Sequence, residues 1–216
     1  MAIRLLPFRQ YAEEDVVNLF ANDSANDKVT DSGAGDAGVF VKVSAGDFSA
    51  DPVGYESSSY LGKTDYPFIG RNQYPVVPLK VTAASAGDAC VGVTLLQTAQ
   101  KDENDEKLLY YPQKKLETQS VLTGEAVPVL GKGIITIDSA SALDGADTPG
   151  SFVTLSNNAG KISGVASQSG GHTFGQILAT GQRVNRGVSD DQFGGSPVTG
   201  SNAGSNGKYA VIRINC

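Results

Sequence analysis

The chain has 216 residues and a formal net charge of −6, with a pI of about 4.7. That acidic balance argues against nucleic-acid binding, which draws on clustered Lys and Arg to displace counterions, and against docking on an anionic membrane. The length suits one or two domains whose core needs no disulfide support, and 26 glycines without a triplet repeat indicate many turns rather than collagen.

The chain opens with Met1-Ala2-Ile3-Arg4-Leu5-Leu6-Pro7, but Pro7, Arg9 and Gln10 end the apolar run too early for a signal peptide. No run approaches the roughly 20 apolar residues that span a bilayer. The expectation is a protein made and retained in a cytoplasm, or in something assembled there. Residues 1–20 hold large apolar groups, Phe8, Tyr11, Val16, Val17, Leu19 and Phe20, around acidic Glu13, Glu14 and Asp15. The stretch Glu13 to Phe20 can form two helical turns with its acids at the favourable N-terminal end. This segment either docks on its own domain or serves as an arm that packs on a neighbouring subunit. Ala21 to Gly38, rich in Asn, Asp, Ser, Gly and Ala, reads as the hinge that follows.

Val39 to Val43 is a strand. Phe48 to Tyr74 carries Tyr55, Tyr60, Tyr66, Phe68 and Tyr74 among Gly and Pro, either a satellite core under a long loop or an interface surface. Pro75 to Ala83 and Ala89 to Gln97 read as strands, with Gly92 as a bulge or close-approach site. Lys101 to Lys107 is a solvated charged loop, and Pro112 to Leu116 is a turn or a single helical turn.

Gln119 to Ile137 is the centre of the pattern. Val127 and Val129 alternate with Ala126 and Pro128, while Ile134-Ile135-Thr136-Ile137 is β-branched throughout and favours a pleated surface over a helix. Gly131-Lys132-Gly133 between them is short enough for a tight hairpin. Pro128 cannot donate a ladder hydrogen bond, so its strand is expected at an edge or bulged. Asp138 to Gly150 reads as a loop, and Phe152 to Leu155 with Lys161 to Ala166 as a hairpin about Asn157-Asn158-Ala159-Gly160. Thr173 to Thr180 is a strand candidate, and Gly187 to Asn206 a long loop. Tyr209 to Ile214 closes the chain as a strand with Ala210, Ile212 and Ile214 on one face, returning to pair with an interior strand. The fold class expected is mainly β, a small β-barrel or β-tulip-like body with an extended N-terminal arm and long Gly/Ser/Asn-rich loops.

Catalytic and metal chemistry finds little footing. Gly124 to Lys132 fails as a phosphate loop, because the first Gly is too far from Gly131-Lys132 and Gly133 stands where Ser or Thr would meet Mg²⁺. Asp102, Asn104 and Glu106 have the odd-position oxygens of a calcium loop, but Lys107 replaces the required Gly and Gln113 the terminal Glu. His172, the single histidine, has no metal-spaced partner, and no nucleophile elbow accompanies it. Glu13-Glu14 and Asp190-Asp191 are paired only in sequence. Cys90, in Ala89-Cys90-Val91, reads as a small buried hydrophobe and Cys216 as an exposed chain end. A bridge between them requires a proximity the sequence does not supply, and disulfides are scarce in proteins assembled in a cytosol. No catalytic residue, cofactor or metal ligand is assigned.

Two stretches resemble known proteins. Ile3-Arg4-Leu5-Leu6-Pro7-Phe8-Arg9-Gln10-Tyr11 with Asp15-Val16-Val17-Asn18-Leu19-Phe20 is similar to the start of structural proteins from tailed phages of marine cyanobacteria. Gly92-Val93-Thr94-Leu95, Thr123-Gly124-Glu125-Ala126-Val127-Pro128-Val129 and Gly133-Ile134 resemble phage head decoration, or cement, proteins. Phe174-Gly175-Gln176-Ile177-Leu178 and Val211-Ile212-Arg213-Ile214 resemble the closing strands of that barrel. The resemblance implies a non-enzymatic virion protein on the capsid exterior, assembled in the host cytoplasm. Its implied partners are the major capsid protein and its own copies, as a homotrimer or as lattice neighbours, with no nucleic acid and no membrane. On this reading 1–38 is the arm and hinge and 39–216 the β-rich body, within which 39–74 is the aromatic loop region and 75–216 the decoration-like barrel. The residues expected to touch the shell are Leu5, Leu6, Phe8, Arg9, Tyr11, Val17 and Phe20, laid along the shell protein in extended form. The alternatives are a tail or baseplate structural protein, a carbohydrate-binding β-sandwich using Tyr55, Tyr60, Tyr66 and Tyr74, and a hydrolase using His172.

Overall fold

The structure is a computed structural model that describes residues 4–21, 36–44, 80–98, 108–121, 126–168, 172–182 and 208–216. In chain order the strands are β1 (Leu5–Gln10), β2 (Val16–Ala21), β3 (Phe40–Ser44), β4 (Lys80–Ala83), β5 (Gly92–Thr94), β6 (Gln97–Thr98), β7 (Ser120–Val121), β8 (Ala126–Leu130) and β9 (Lys132–Asp138). They continue as β10 (Leu143–Gly145), β11 (Phe152–Leu155), β12 (Ile162–Val165), β13 (Gly175–Gln182) and β14 (Lys208–Asn215). Two short helices, α1 (Pro112–Glu117) and α2 (Ser139–Ala142), and 3-10 turns at Glu13–Asp15 and Leu108–Tyr110 complete the described elements. The protein is mainly β, as its β-branched alternation predicts.

Seven strands form one sheet in the order β1-β9-β14-β13-β11-β12-β10, antiparallel except where β10 runs parallel to β12. Five others pair in a closed order: β2 with β4, β4 with β3, β3 with β5, β5 with β8, and β8 with β2 again. The strands β6 and β7 make a separate parallel pair.

Alternation of side chains along β3 and β8 explains how the two sheets join. Val39, Val41, Val81, Leu19, Val127 and Val129 cluster together, while Phe40, Val93 and Leu130 face the other way and pack with Ile135, Ile137, Phe174, Ile212 and Ile214 of the seven-stranded sheet. Successive side chains of a strand point to opposite faces, so Val39-Phe40-Val41 is apolar without interruption because both of its faces are covered. The Phe40 and Phe174 rings, 5.6 Å apart and tilted by 43°, lie at this junction. The terminal strand behaves as its pattern predicts: Ala210, Ile212 and Ile214 are buried, and β14 lies between β9 and β13.

The turn of the β11–β12 hairpin also fastens the sheets together. Gly160, at φ +76°, donates its N–H to the Ala84 carbonyl at 2.7 Å and accepts from the Phe40 N–H at 3.2 Å. Asp144 of β10 accepts from this turn's Ser156 hydroxyl at 2.5 Å and Asn158 amide at 2.8 Å, with Lys161 Nζ at 3.6 Å. The Ser156 hydrogen bond, followed by Asn158 and Lys161 and opposed by partial burial, holds the Asp144 carboxyl below its ordinary value of 3.8. A carboxyl depressed in the folded state contributes stability that is complete above its unfolded value and lost as pH falls through the folded value. Asp144→Asn should therefore flatten the acid limb of a stability-against-pH curve below about pH 4. Urea midpoints measured across that range provide the check.

Several expectations are corrected. The tight hairpin at Gly131-Lys132-Gly133 is absent, since β8 pairs with β2 and β5 whereas β9 pairs with β1 and β14. The apolar faces of the two strands have different destinations, so the chain leaves one sheet for the other at Gly131. Gly133 serves a crossing rather than a turn: at φ +152° a Cβ there would lie 2.7 Å from Tyr11 Cβ and 3.0 Å from the Gln10 carbonyl. Pro128 does not mark an edge strand, because β8 has neighbours on both sides; it lies just past the last residue paired with β5 and accepts from the Leu95 N–H at 3.0 Å. Strands 75–216 are not one sheet: β4, β5 and β8 join β2 and β3, and the later strands lie in the seven-stranded sheet. The strand expected over Ala89 to Gln97 breaks into β5 and β6. The stretch Asp138 to Gly150 contains α2, capped by Asp138 accepting from the Ser141 N–H at 3.2 Å, and then β10.

Candidate interaction surface

The proposed contact residues lie on β1, β2 and the turn between them, and the structure separates them into a buried and an exposed set. Leu5, Leu6 and Leu19 are buried, and Leu5 belongs to the core cluster of the seven-stranded sheet. In β1, Leu5 aligns with Ile137 and Arg9 with Ile135, so four chain steps on one strand match two on the other. The excess is a bulge, and Pro7, which has no N–H to donate, lies within it. Phe8 follows Pro7 and is 60 % exposed; Tyr11 is 39 % and Val17 50 % exposed. Arg9 is exposed too, and its Nε donates to the Leu6 carbonyl at 3.0 Å, which holds the guanidinium stem along the strand. The backbone of Phe20 pairs with Lys80 and Ala126.

This geometry corrects the arm. Residues 5–21 form the outer strand of one sheet and a central member of the other, with Val16 to Phe20 aligned residue by residue against Leu130 to Ala126. Leu5 and Leu6 are consequently unavailable to a partner and leave the candidate set. The helical turns expected over Glu13 to Phe20 reduce to the 3-10 turn Glu13–Asp15, because β-branched Val16 and Val17 begin the strand that pairs with β8. Just before β1 the Arg4 Nε lies 3.3 Å from the Asp36 carboxylate, both side chains buried, and Nη1 is 3.5 Å from the Gly160 carbonyl. The end of the segment is thus pinned by charge as well as by sheet pairing.

A second group of exposed apolar side chains escaped the sequence reading. Tyr110, Tyr111 and Leu116 stand out from the 3-10 turn and α1, with Leu116 77 % exposed. No residue of α1 is buried; the apolar Leu116 in an otherwise polar Pro-Gln-Lys-Lys-Leu-Glu helix was the available signal.

Elsewhere, His172 is exposed, and the described residues contain no group of three or more His, Cys, Asp or Glu side chains placed to hold a metal. Glu13 and Glu14 are exposed on the 3-10 turn. Asp190-Asp191, the tyrosines at 55, 60, 66 and 74, the loop 101–107 and the loop 187–206 lie outside the described residues. No described helix is long and apolar enough to cross a membrane. The two cysteines, by contrast, do come together: Cys90 Sγ and Cys216 Sγ are 3.1 Å apart as free thiols. Their hydrogen bond, and then burial of the thiol, push the Cys216 thiol well above the ordinary thiol range.

No family model, curated protein or solved structure matches the chain.

Proposed function

We propose that the protein is a non-enzymatic structural protein of a virion, one that binds the outer capsid surface and cements neighbouring major capsid subunits. The observation that carries this reading is the presentation of Phe8, Tyr11 and Val17. Three large apolar side chains are exposed on a segment whose backbone is built into both sheets. Docking costs little backbone freedom there, because the segment that bears them is already ordered by sheet pairing. Aromatic groups are enriched at protein interfaces, and a lattice of identical shell subunits converts modest individual contacts into avidity.

The resemblance of the opening stretch and of segments between Gly92 and Ile134 to phage structural and decoration proteins supports a capsid shell as the partner of this surface. On this reading the five strands of the closed pairing order form the compact barrel- or tulip-like unit of a decoration protein. The protein acts as a trimer at local threefold positions, and contact is made by Phe8, Arg9, Tyr11 and Val17 on a fixed surface.

The test is sedimentation of the purified protein with empty shells of the cognate major capsid protein. The wild type should co-sediment at saturating stoichiometry. Phe8→Ser, Tyr11→Ser and Val17→Ser combined should reduce shell binding at least tenfold while leaving the thermal unfolding midpoint within a few degrees of wild type. Wild-type protein that fails to bind shells would overturn the reading. Density for the protein on a tail or baseplate, or selective retention on a glycan array, would replace it by the corresponding alternative.

A further inference from the structure

The terminal strand and the start of β5 bring two thiols together across the junction of the sheets. Cys216 follows β14, and its position is set by two backbone hydrogen bonds. Asn215 donates to the Phe174 carbonyl at 2.7 Å, and the Cys216 N–H donates to the Gly131 carbonyl at 2.9 Å. Cys90 is held with equal definition: Val91 donates to the Val41 carbonyl at 2.9 Å, and Cys90 packs against the core cluster. The thiols at 3.1 Å therefore belong to two anchored backbones, one just before β5 and one just after β14.

We propose that Cys90 and Cys216 form a redox-sensitive pair that closes into an intramolecular disulfide and ties the last strand of the seven-stranded sheet to the five-strand unit. The oxidant is a low-molecular-weight disulfide. One protein thiolate attacks it, forming a mixed disulfide and releasing one small thiolate; the second protein thiol loses its proton, attacks the mixed disulfide and releases the other. Two protein thiols are oxidised, one small disulfide is reduced to two thiols, and the two protons pass to the small thiolates. The pair is open in a reducing compartment and closed in an oxidising one. This inference stands on the geometry of the two thiols and does not depend on the capsid reading.

The bridge would close the loop from residue 90 to residue 216, and a cross-link of that span restricts the unfolded chain strongly. Incubating the full-length protein with oxidised glutathione should lower the intact mass by two hydrogens and abolish labelling of both thiols. Trypsin should then release the terminal peptide Ile214-Asn215-Cys216 covalently joined to the peptide spanning residues 81–101. The unfolding midpoint should rise by roughly 5–15 °C and fall back on adding a reductant. Cys216→Ser should fold normally, show no rise, and instead carry a single glutathione on Cys90. Glutathione adducts on both cysteines of the wild type, intermolecular dimers in place of the linked peptide, or thiols that stay fully labelled would overturn the proposal. A bridge that forms without raising the midpoint would overturn its role in tying the sheets together.

Discussion

Deleting residues 1–21 should abolish cooperative folding. The segment contributes a strand to each sheet: β1 covers one side of β9, and β2 is the link through which β4 and β8 join. Its loss would leave β8 and β4 with unpaired edges and open the apolar cluster that contains Leu19, Val127 and Val129. Burying Leu5, Leu6 and Leu19 contributes about 1.5–3 kcal/mol each, so the three together match a large share of the roughly 5–15 kcal/mol that separates a folded domain from its unfolded state. The truncated chain should show weakened β signal in far-UV circular dichroism and no sharp urea transition. A truncated protein that unfolds with the same midpoint and slope as the full chain would instead identify these residues as a detachable tail, contrary to the pairing described above.

The second large effect is expected at Arg4. Arg4→Met keeps the aliphatic stem but withdraws the guanidinium from the buried Asp36 carboxylate, 3.3 Å from Nε, and from the Gly160 carbonyl. Removing one partner of a buried ion pair costs about 3–5 kcal/mol, because the charge that stays in the interior loses this counter-ion. The urea midpoint should fall accordingly. The double variant Arg4→Met with Asp36→Leu should recover much of that loss, since replacing both charges by apolar groups relieves the desolvation penalty. If the double variant is as unstable as the sum of the two single ones, the two side chains are not coupled and the ion pair is not what holds the segment. Arg4 accounts for why a segment with exposed Phe8 and Tyr11 remains docked: its other end carries a charge whose partner lies in the interior.

These two residues also show where the sequence falls short. Arg4 and Asp36 stand 32 positions apart by the numbering, with a Gly/Asp/Ser-rich stretch between them. Nothing in the local pattern marks one as the other's counter-ion. Phe8 and Tyr11 are recognisable in the sequence as large apolar groups near a chain end, yet the same description fits Leu5 and Leu6. Only the bulge around Pro7 turns Phe8 outward while Leu5 stays against Ile137. The exposure of Leu116 is not legible in the sequence, because a six-residue helix is too short to reveal which face, if any, it buries. The aromatic region 48–74, central to the carbohydrate-binding alternative, lies outside the described residues.

The amino-acid sequence by itself determined that this protein is mainly β and located β3, the β11–β12 hairpin and β14 with its buried Ala210, Ile212 and Ile214 face, because β-branching, period-two alternation and turn residues act within a few positions. Tertiary structure alone decided which strand lies beside which. Alternation tells a strand which of its faces is apolar but carries no name for its neighbour. Gly131-Lys132-Gly133 therefore reads equally as a tight turn or as a passage between sheets, and the partners waiting for Val129 on one side and Ile135 on the other settle it as a passage. The same long-range pairing carries the first strands into both sheets and brings the last residue to Cys90.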